Sequence, residues 1–394
     1  MHALRLDCDW DPKPDYPITD LERRTRRARM GSQVWRNPRL IPISDAPDPT
    51  PRADEVVVRV VACGVCGSDT HCYETDPDGY ILFSGPVAAP CTLGHEYAGE
   101  VVAVGTGVRH LRPGDLVTAE GMLYCGVCEA CRRGLPNQCQ SLDMTGFTAP
   151  GAYAEHIAVR EKHCWKLDGL ASALGSAQAA CEAAALVEPV ACSYNGLYVA
   201  GGGMAPGSHV AIFGCGPIGL GAVALCRAAG AAAIIAFDVS PERLAVARAM
   251  GADEAWDVRT LAKAGGSPAD AVLAITGGWG ADRVVEAAGA ALQTMPQIER
   301  CLAPGGRMIY LGRTGQRAPV MLDVLVSGAS GICGARGHAG GGCFPNLLRL
   351  MERGRLDLGA MITTRLPLAH ARAAVIRSTD RTDAKIMLVD GPAT

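Results

Sequence analysis

The stretch that decides the fold is residues 208–238, which read SHVAIFGCGPIGLGAVALCRAAGAAAIIAFD. A short apolar run precedes the hexapeptide Gly214-Cys215-Gly216-Pro217-Ile218-Gly219, a helical pattern follows it, and a second apolar run ends at Asp238. A G-x-G-x-x-G pattern alone is weak evidence. Between a strand and a helix, with an acid about 20 residues further on, it is typical of dinucleotide binding. The stretch therefore predicts the opening strand–helix–strand unit of a Rossmann domain.

The same stretch predicts which groups bind the dinucleotide. Glycines let the backbone approach a pyrophosphate, which the positive N-terminus of the following helix stabilises. Asp238 can accept hydrogen bonds from the adenosine ribose and would repel a 2′-phosphate, so we expect NAD rather than NADP, although Arg243 weakens that preference. The candidate cofactor-binding residues are Gly214, Gly216, Pro217, Ile218, Gly219, Asp238 and Arg243.

The length of 394 residues suggests two domains. After Asp238, helical and strand patterns alternate to about residue 353, which is typical of a doubly wound parallel sheet. Before residue 193, β-branched runs such as 55–63 and 97–104 lie among Gly/Pro turns and predict an irregular β-barrel. Residues 385–389 predict a last strand that returns to this barrel. The predicted fold class is α/β.

Composition argues against several classes of protein. A net charge of −3 gives no reason to expect nucleic acid or a membrane as partner. We interpret the basic stretch 21–29 as a solvated loop or short helix rather than a nucleic-acid patch. No apolar run is long enough to cross a bilayer, and the first residues lack a signal-peptide pattern. We therefore expect a cytoplasmic protein, in which most of the seventeen cysteines are metal ligands or small buried hydrophobes.

Four cysteines share one loop in the pattern Cys125-x2-Cys128-x2-Cys131-x7-Cys139. This spacing allows four thiolates to surround one tetrahedral ion, and a closed shell of thiolates is typical of a structural zinc. An iron–sulfur cluster uses similar spacing, but its fourth cysteine typically sits in another context and precedes proline. The loop therefore predicts a structural zinc site.

A second candidate metal site comes from Gly64-Val65-Cys66-Gly67-Ser68-Asp69-Thr70-His71 and Gly94-His95-Glu96. Cys66, His95 and Glu96 offer a thiolate, an imidazole and a carboxylate, which are all good ligands for zinc. The hydroxyl of Ser68 and the imidazole of His71 follow closely after Cys66. This set of groups fits a catalytic metal with a proton path leading away from it.

These motifs, in this order, carry a family resemblance. Together with Glu188-Pro189, they resemble the zinc-containing medium-chain dehydrogenases/reductases, the alcohol and polyol dehydrogenase superfamily, from about Glu55 to the C-terminus. Segments 1–6, 79–82, 186–189 and 337–345 are most similar to the scyllo-inosose (keto-inositol) dehydrogenases. The resemblance implies a GroES-like β-barrel catalytic domain over 1–192, a Rossmann NAD-binding domain over 193–335, and a segment over 336–394 that returns to the catalytic domain. The active site would lie in the cleft between the domains.

The resemblance also implies roles for single residues. Cys66 and His95 match two ligands of the catalytic zinc. Glu96 resembles a direct ligand, and Glu188 stands where classical alcohol dehydrogenases carry a cysteine, but the sequence leaves open which glutamate binds zinc and which acts through water. Ser68 matches the first proton acceptor, and the proton would pass through the nicotinamide ribose to His71.

Simpler interpretations of these residues stay open. Ser68 can be a turn residue, His71 a surface histidine, and Glu188 a residue that braces the start of a helix. Arg336 and His338 follow a predicted Rossmann strand, where they would either contact substrate or lie solvated in a Gly-rich loop.

The implied activity is hydride transfer between NAD and a secondary alcohol or ketone of a cyclitol or related polyol. A general sorbitol- or alcohol-type dehydrogenase is the alternative enzyme. A dinucleotide-binding protein without catalysis is an alternative of a different class, which Cys66, Ser68, His95 and Glu96 together disfavour. The family suggests a homodimer or homotetramer.

Overall fold

The chain folds into a mixed array of strands and helices, and the computed structural model describes its residues 1–391. The strands of this range are β1 (Ala3–Trp10), β2 (Trp35–Ile43), β3 (Glu55–Gly64), β4 (Cys91–Thr92), β5 (Glu96–Val104), β6 (Leu116–Ala119), β7 (Met122–Leu123), β8 (Asp143–Met144), β9 (His156–Arg160), β10 (Cys164–Lys166), β11 (His209–Phe213), β12 (Ala233–Asp238), β13 (Glu254–Asp257), β14 (Ala281–Glu286), β15 (Leu302–Tyr310), β16 (Gly331–Gly334), β17 (Ile362–Pro367) and β18 (Lys385–Val389). Its α-helices are α1 (Asp20–Thr25), α2 (Gly67–His71), α3 (Glu129–Arg132), α4 (Asp168–Leu174), α5 (Ala177–Ala185), α6 (Val187–Tyr194), α7 (Pro217–Ala228), α8 (Pro241–Ala249), α9 (Val258–Lys263), α10 (Pro268–Ile275), α11 (Ala291–Cys301), α12 (Leu322–Ser327), α13 (Cys343–Glu352) and α14 (Ala371–Arg377).

A seven-stranded sheet forms the GroES-like β-barrel. Its strands run in the order β10-β6-β5-β3-β18-β17, and β9 also pairs with β3. β18 lies antiparallel to β3, with Met387 opposite Gly64. The C-terminal strand is thus built into the N-terminal half of the molecule, which confirms the return predicted for residues 385–389. β1, β2 and β4 form a separate small sheet beside it.

Six parallel strands form the Rossmann sheet, in the order β13-β12-β11-β14-β15-β16. The chain winds outward on one side of β11 and then continues from β14 on its other side. In open parallel sheets, ligands bind at the carboxyl ends of the strands where the winding reverses. The predicted hexapeptide 214–219 follows β11 directly and therefore lies at this position.

Both faces of the Rossmann sheet are covered by apolar side chains. Val210 and Ile212 of β11 belong to one buried cluster, and the alternate residues Ala211 and Phe213 belong to another. Strands buried on both faces have continuous apolar sequences, which explains the apolar run of β11. Within residues 1–391, no single helix is long and apolar enough to span a bilayer. The segments Asp168–Leu174 and Ala177–Ala200 meet these requirements of length and composition only as a pair, which is bent by 119°.

A continuous helical segment connects the barrel side to the Rossmann side. Helix α6 passes directly into a π-helical turn, Asn195–Ala200. The predicted boundary between residues 192 and 193 lies inside this segment, so the chain has no linker there, and the division into 1–192, 193–335 and 336–394 stays a prediction. Isolated π-helical turns occur frequently at functional sites.

The basic stretch 21–29 is organised around one buried carboxylate. Glu22 of α1 is 1 % exposed and accepts hydrogen bonds from the Thr19 backbone N–H at 2.9 Å, the Tyr16 hydroxyl at 2.8 Å and Arg29 Nε at 3.0 Å. These bonds outweigh the effect of burial and lower the pKa of Glu22 to about 2. The predicted short helix is therefore confirmed as α1.

Candidate active site and nucleotide-binding loop

The candidate catalytic site lies where β3 and β5 pair. Their antiparallel register places Gly64 opposite Glu96 at the start of β5. Cys66 lies just beyond that pair and His95 just before it, so a sulfur, an imidazole nitrogen and a carboxylate oxygen come within 4.8 Å of one another. Three protein ligands of these types leave a coordination position for substrate. Glu188 is not a member of this group of atoms.

The imidazole of His95 is oriented from behind by Asp69, which sequence reasoning missed. Asp69 Oδ1 lies 3.5 Å from His95 Nδ1, while Oδ2 accepts hydrogen bonds from the Tyr153 hydroxyl at 2.7 Å and the Cys66 backbone N–H at 3.0 Å. Burial acts against ionisation of Asp69, but the charge of His95 and these hydrogen bonds lower its pKa. Zinc-binding histidines are typically held in this way through their second ring nitrogen. The available signal was the position of Asp69 three residues after Cys66, in the first turn of α2.

Glu96 is buried beside Lys385, the first residue of β18. Lys385 Nζ lies 2.5 Å from Glu96 Oε2 and donates a hydrogen bond to the Val65 carbonyl at 3.0 Å. Burial raises the pKa of Glu96, and Lys385 partly offsets that effect. Sequence reasoning missed Lys385 because its strand reads as an ordinary apolar run with a lysine at one end.

The second oxygen of Glu96 provides a test of whether a metal fits here. Oε1 is buried and has no hydrogen-bond partner within residues 1–391. A buried polar atom without a partner costs free energy, so an unpaired carboxylate oxygen calls for a ligand. A divalent cation held by Cys66 and His95 would satisfy Oε1. The residues present therefore fit a catalytic zinc.

Glu188 lies near this group but is paired with His338. Glu188 Oε1 is 2.8 Å from His338 Nε2, and both side chains are buried. Burial opposes ionisation of Glu188, yet the neighbouring His338 keeps its pKa below the ordinary value. The expectation of a solvated Gly-rich loop is therefore wrong for His338. Arg336 is half-buried, which together with the charge of Arg313 lowers its pKa.

Ser68 and His71 are three residues apart in α2 and therefore share one face of that helix. Ser68 Oγ lies 3.4 Å from His95 Nε2, the ring nitrogen that Asp69 leaves free. The His71 side chain is 46 % exposed and lies 3.9 Å from Glu74. Partial burial and the positive charge of Arg381 lower the pKa of His71, so its imidazole is neutral at physiological pH.

The four predicted cysteines of the lobe come together as one group. Sγ of Cys139 lies 3.5 Å from that of Cys125 and 3.8 Å from that of Cys128, and Sγ of Cys131 lies 4.0 Å from that of Cys125. Thiolates at zinc distance on a tetrahedron are about 3.8 Å apart, so the group fits one zinc ion. Backbone N–H groups of Cys131 and Gln140 lower the pKa of Cys128 to about 6, which favours the thiolate that binds metal.

The glycine-rich hexapeptide forms a tight turn between β11 and α7. Gly216 is the N-cap of α7 and Pro217 its first residue, so the free backbone N–H groups of that helix point out of the turn. A side chain at Gly219 would collide with the carbonyl oxygen of Gly214. The turn is thus as close-packed as a pyrophosphate-binding loop requires. That Ile218 and the other residues of the hexapeptide contact a dinucleotide stays a prediction.

Asp238 is tied to this loop by backbone hydrogen bonds. Its Oδ2 accepts from the Cys215 N–H at 2.6 Å, and its Oδ1 accepts from the Val239 and Ser240 N–H groups at 2.7 and 2.8 Å. Arg243 instead donates to the Asp383 carbonyl at 3.1 and 3.2 Å, beside β18. The structure therefore places the acid at the loop and turns Arg243 towards the C-terminal segment.

Known proteins resemble this chain over nearly its whole length. Residues 52–169 match the family model "Alcohol dehydrogenase GroES-like domain", and residues 217–353 match "Zinc-binding dehydrogenase". The scyllo-inosose 3-dehydrogenase of Thermotoga maritima is 35 % identical over 402 residues, covering 99 % of this chain and 100 % of that protein. An L-threonine 3-dehydrogenase of Saccharopolyspora erythraea is 34 % identical, covering 82 % of this chain and 88 % of its own length.

A solved structure shows the same similarity in three dimensions. It is a Thermotoga maritima protein classed provisionally as an alcohol dehydrogenase, with a TM-score of 0.93 and 34 % identity. The match covers 99 % of this chain and 100 % of that one. The two-part architecture is therefore shared from end to end.

Proposed function

Because the chain belongs to the zinc-containing medium-chain dehydrogenases/reductases, we propose that it interconverts a secondary alcohol and a ketone of a cyclitol or related polyol. That it is a zinc-containing alcohol or polyol dehydrogenase follows from the family. The cyclitol substrate is supported by the similarity to the scyllo-inosose dehydrogenase, which extends over 99 % of this chain. The similarity to the threonine dehydrogenase extends over 82 % of it. The observation that carries the catalytic proposal is the convergence of Cys66, His95 and Glu96, with an unpartnered oxygen on Glu96.

The residues around this group suit the handling of a substrate proton. When bound, zinc would supply a Lewis acid that lowers the pKa of the substrate hydroxyl, and a nicotinamide cofactor would supply the hydride acceptor. Ser68 Oγ, beside His95 Nε2, is placed to accept the hydroxyl proton. His71, on the same helix face and half-exposed, is placed to pass the proton to water. Asp69 keeps His95 in one ring orientation throughout.

We propose NAD as the cofactor. The carboxylate of Asp238 is fixed at the end of β12 by the loop that would hold the pyrophosphate, so it can bind ribose hydroxyls and would repel a 2′-phosphate. Arg243 is the residue nearest in sequence that would favour NADP, but its guanidinium is committed to the Asp383 carbonyl. This contact supports the proposal of NAD.

A homodimer or homotetramer is the proposed assembly. β16 is the outermost strand of the Rossmann sheet, so one of its edges is unpaired within residues 1–391. Next to it, α12 exposes Leu322 and Val326 at 69 % and 78 %. An open strand edge beside exposed apolar side chains is a ready surface for a second copy.

The cytoplasm is the proposed location of the protein. All seventeen cysteines are free, which agrees with a reducing compartment.

A cofactor-reduction screen tests the proposed substrate. Zinc-loaded protein is supplied with NAD or NADP and with inositols, aminocyclitols, sugar alcohols such as sorbitol, L-threonine and simple alcohols, and inososes are offered with the reduced cofactors. We expect cyclitols or inososes with NAD to give the highest kcat/KM, and Cys66→Ser to abolish turnover. Turnover of simple alcohols only would refute the polyol assignment and favour the general alcohol-type alternative.

A further inference from the structure

The two buried glutamates beside the candidate catalytic metal are held by different bases. Glu96 shares one oxygen with Lys385, its other oxygen has no partner within residues 1–391, and its carboxylate belongs to the group formed with Cys66 and His95. Glu188 has one oxygen 2.8 Å from His338 Nε2 and lies outside that group. A side chain at Gly121 would contact both His95 Cβ, at 3.6 Å, and Glu188 Oε1, at 3.7 Å, so the Glu188 carboxylate lies beside the metal group. A contact that holds the two carboxylates apart therefore lowers the electrostatic free energy of the site, because like charges in one buried site repel.

The loop that carries His338 is clamped through its backbone. Asn195, the first residue of the π-helical turn, donates from Nδ2 to the Gly337 carbonyl at 2.8 Å and to the Arg336 carbonyl at 3.3 Å. Asn137 donates from Nδ2 to the same Arg336 carbonyl at 2.9 Å. The backbone just before His338 is thus held at the Arg336 and Gly337 carbonyl groups, which restricts where the imidazole can lie.

Two further contacts restrict this loop. Gly337 has φ +58 and packs against Met122, so a substitution there would strain the backbone and require Met122 to move. Asn137 lies between Cys131 and Cys139, so the cysteine lobe itself supports the loop. The His338 ring lies 5.2 Å from the ring of Phe344 and is 1 % exposed. The imidazole therefore has little freedom to leave Glu188.

We propose that His338 is a positioning residue that holds Glu188 beside the three-ligand metal group and keeps it from becoming a ligand. This inference rests on the proposed function and assigns the ligand role to Glu96. Removing the His338 nitrogen frees Glu188 to move towards the metal, which changes the number or type of ligands. A glutamine at position 338 retains a donor of similar reach and is expected to retain the arrangement.

Cobalt substitution gives a readout that does not depend on turnover. The full-length protein is loaded with Co²⁺, and its visible absorption is compared among the wild type, Glu188→Gln, His338→Leu, His338→Gln and the double variant Glu188→Gln/His338→Leu. We expect a changed spectrum for His338→Leu alone, because only this variant has a free carboxylate at position 188. The matched control is His163→Leu, which removes another fully buried imidazole, one that forms no ion pair with a carboxylate within residues 1–391.

Several results would overturn the proposal. If Glu188→Gln alone changes the spectrum as much as His338→Leu does, Glu188 is already a ligand. If His338→Leu leaves the spectrum unchanged, or if His163→Leu alters it equally, His338 has no specific role at the metal. Should the leucine variant fail to fold, His338→Asn replaces it, since asparagine is polar but too short to reach Glu188.

Kinetics separate this proposal from the proposed substrate. His338→Leu should lower kcat/KM about 10–100-fold, the usual effect of removing a group that orients a metal-site residue, with little further loss in the Glu188→Gln background. Equal losses in both backgrounds would contradict coupling between the two residues. If the wild type turns over no polyol, the substrate proposal fails, whereas the cobalt spectra still decide the role of His338.

Discussion

Replacement of Lys385 by methionine tests how the charge of Glu96 is balanced. Methionine has nearly the length of the lysine stem but no charge, so buried Glu96 loses its ion pair. Breaking a buried pair by removing one partner costs about 3–5 kcal/mol. Protonating a carboxyl of pKa 4.5 at pH 7.5 costs about 4 kcal/mol, from roughly 3 pH units at 1.36 kcal/mol each, which sets an upper limit on the loss if Glu96 becomes neutral.

The pH dependence gives the sharper test. Without Lys385, the folded-state pKa of Glu96 lies above its unfolded value, because burial disfavours the charged form. In the wild type the pKa of Glu96 is already raised, so the deficit in stability relative to the wild type grows where pH exceeds that wild-type pKa, by up to about 1.36 kcal/mol per pH unit, and shrinks as pH falls. Between pH 5.5 and 7.5 the deficit should grow by at most about 2.7 kcal/mol, which corresponds to at most about 5–11 °C in melting temperature at roughly 2–4 °C per kcal/mol.

The measurement is thermal unfolding of wild type and Lys385→Met at one scan rate, after identical equilibration with a chelator so that metal does not compensate the charge. Arg59→Met is the control, because its ion pair with Glu100 is about a third exposed and should contribute less than about 1 kcal/mol. In Glu96→Gln/Lys385→Met both charges are absent, and most of the stability should return. An equal loss at both pH values would show that Lys385 acts by packing, and the charge argument would then be wrong.

Three further variants test the other candidate sites. Asp238→Asn should raise the KM for NAD by roughly 10–150-fold, the effect of losing hydrogen bonds of about 1.5–3 kcal/mol to a charged acceptor, and an unchanged NAD/NADP preference in initial rates would exclude the ribose role. Cys128→Ser should reduce the zinc content, measured by elemental analysis, from two ions per chain to one, and two ions in the variant would remove Cys128 as a ligand. Ser68→Ala should lower kcat by about 10²–10⁴-fold while both zinc ions are retained, and a wild-type rate would rule out Ser68 as proton acceptor.

Sequence reasoning succeeded where the relevant residues are close together in the chain. The four cysteines of the lobe lie within one loop, and the hexapeptide 214–219 lies between a strand and a helix, so spacing alone constrains their geometry. The return of residues 385–389 to the barrel was also predicted, because they form an isolated apolar run after the last helix, whereas their pairing with β3 came from the structure. Cys66, His95 and Glu96 were predicted from motif and resemblance, and the register of β3 with β5 shows why they meet.

The partners of these residues could not be read from the sequence, because each comes from a distant segment. Lys385 reaches Glu96 only because the C-terminal strand enters the barrel. Tyr153 reaches Asp69, and His338 reaches Glu188, through packing that no local pattern encodes.

The sequence thus determined the chemical groups, the fold class and the two metal-binding motifs, since these depend on residue type and short-range spacing. Tertiary structure decided which oxygen of Glu96 is free and which base holds each glutamate. Those properties depend on burial and on contacts between segments that lie far apart in the chain. In the low dielectric of the interior, each ion pair or hydrogen bond has a larger electrostatic energy than in water.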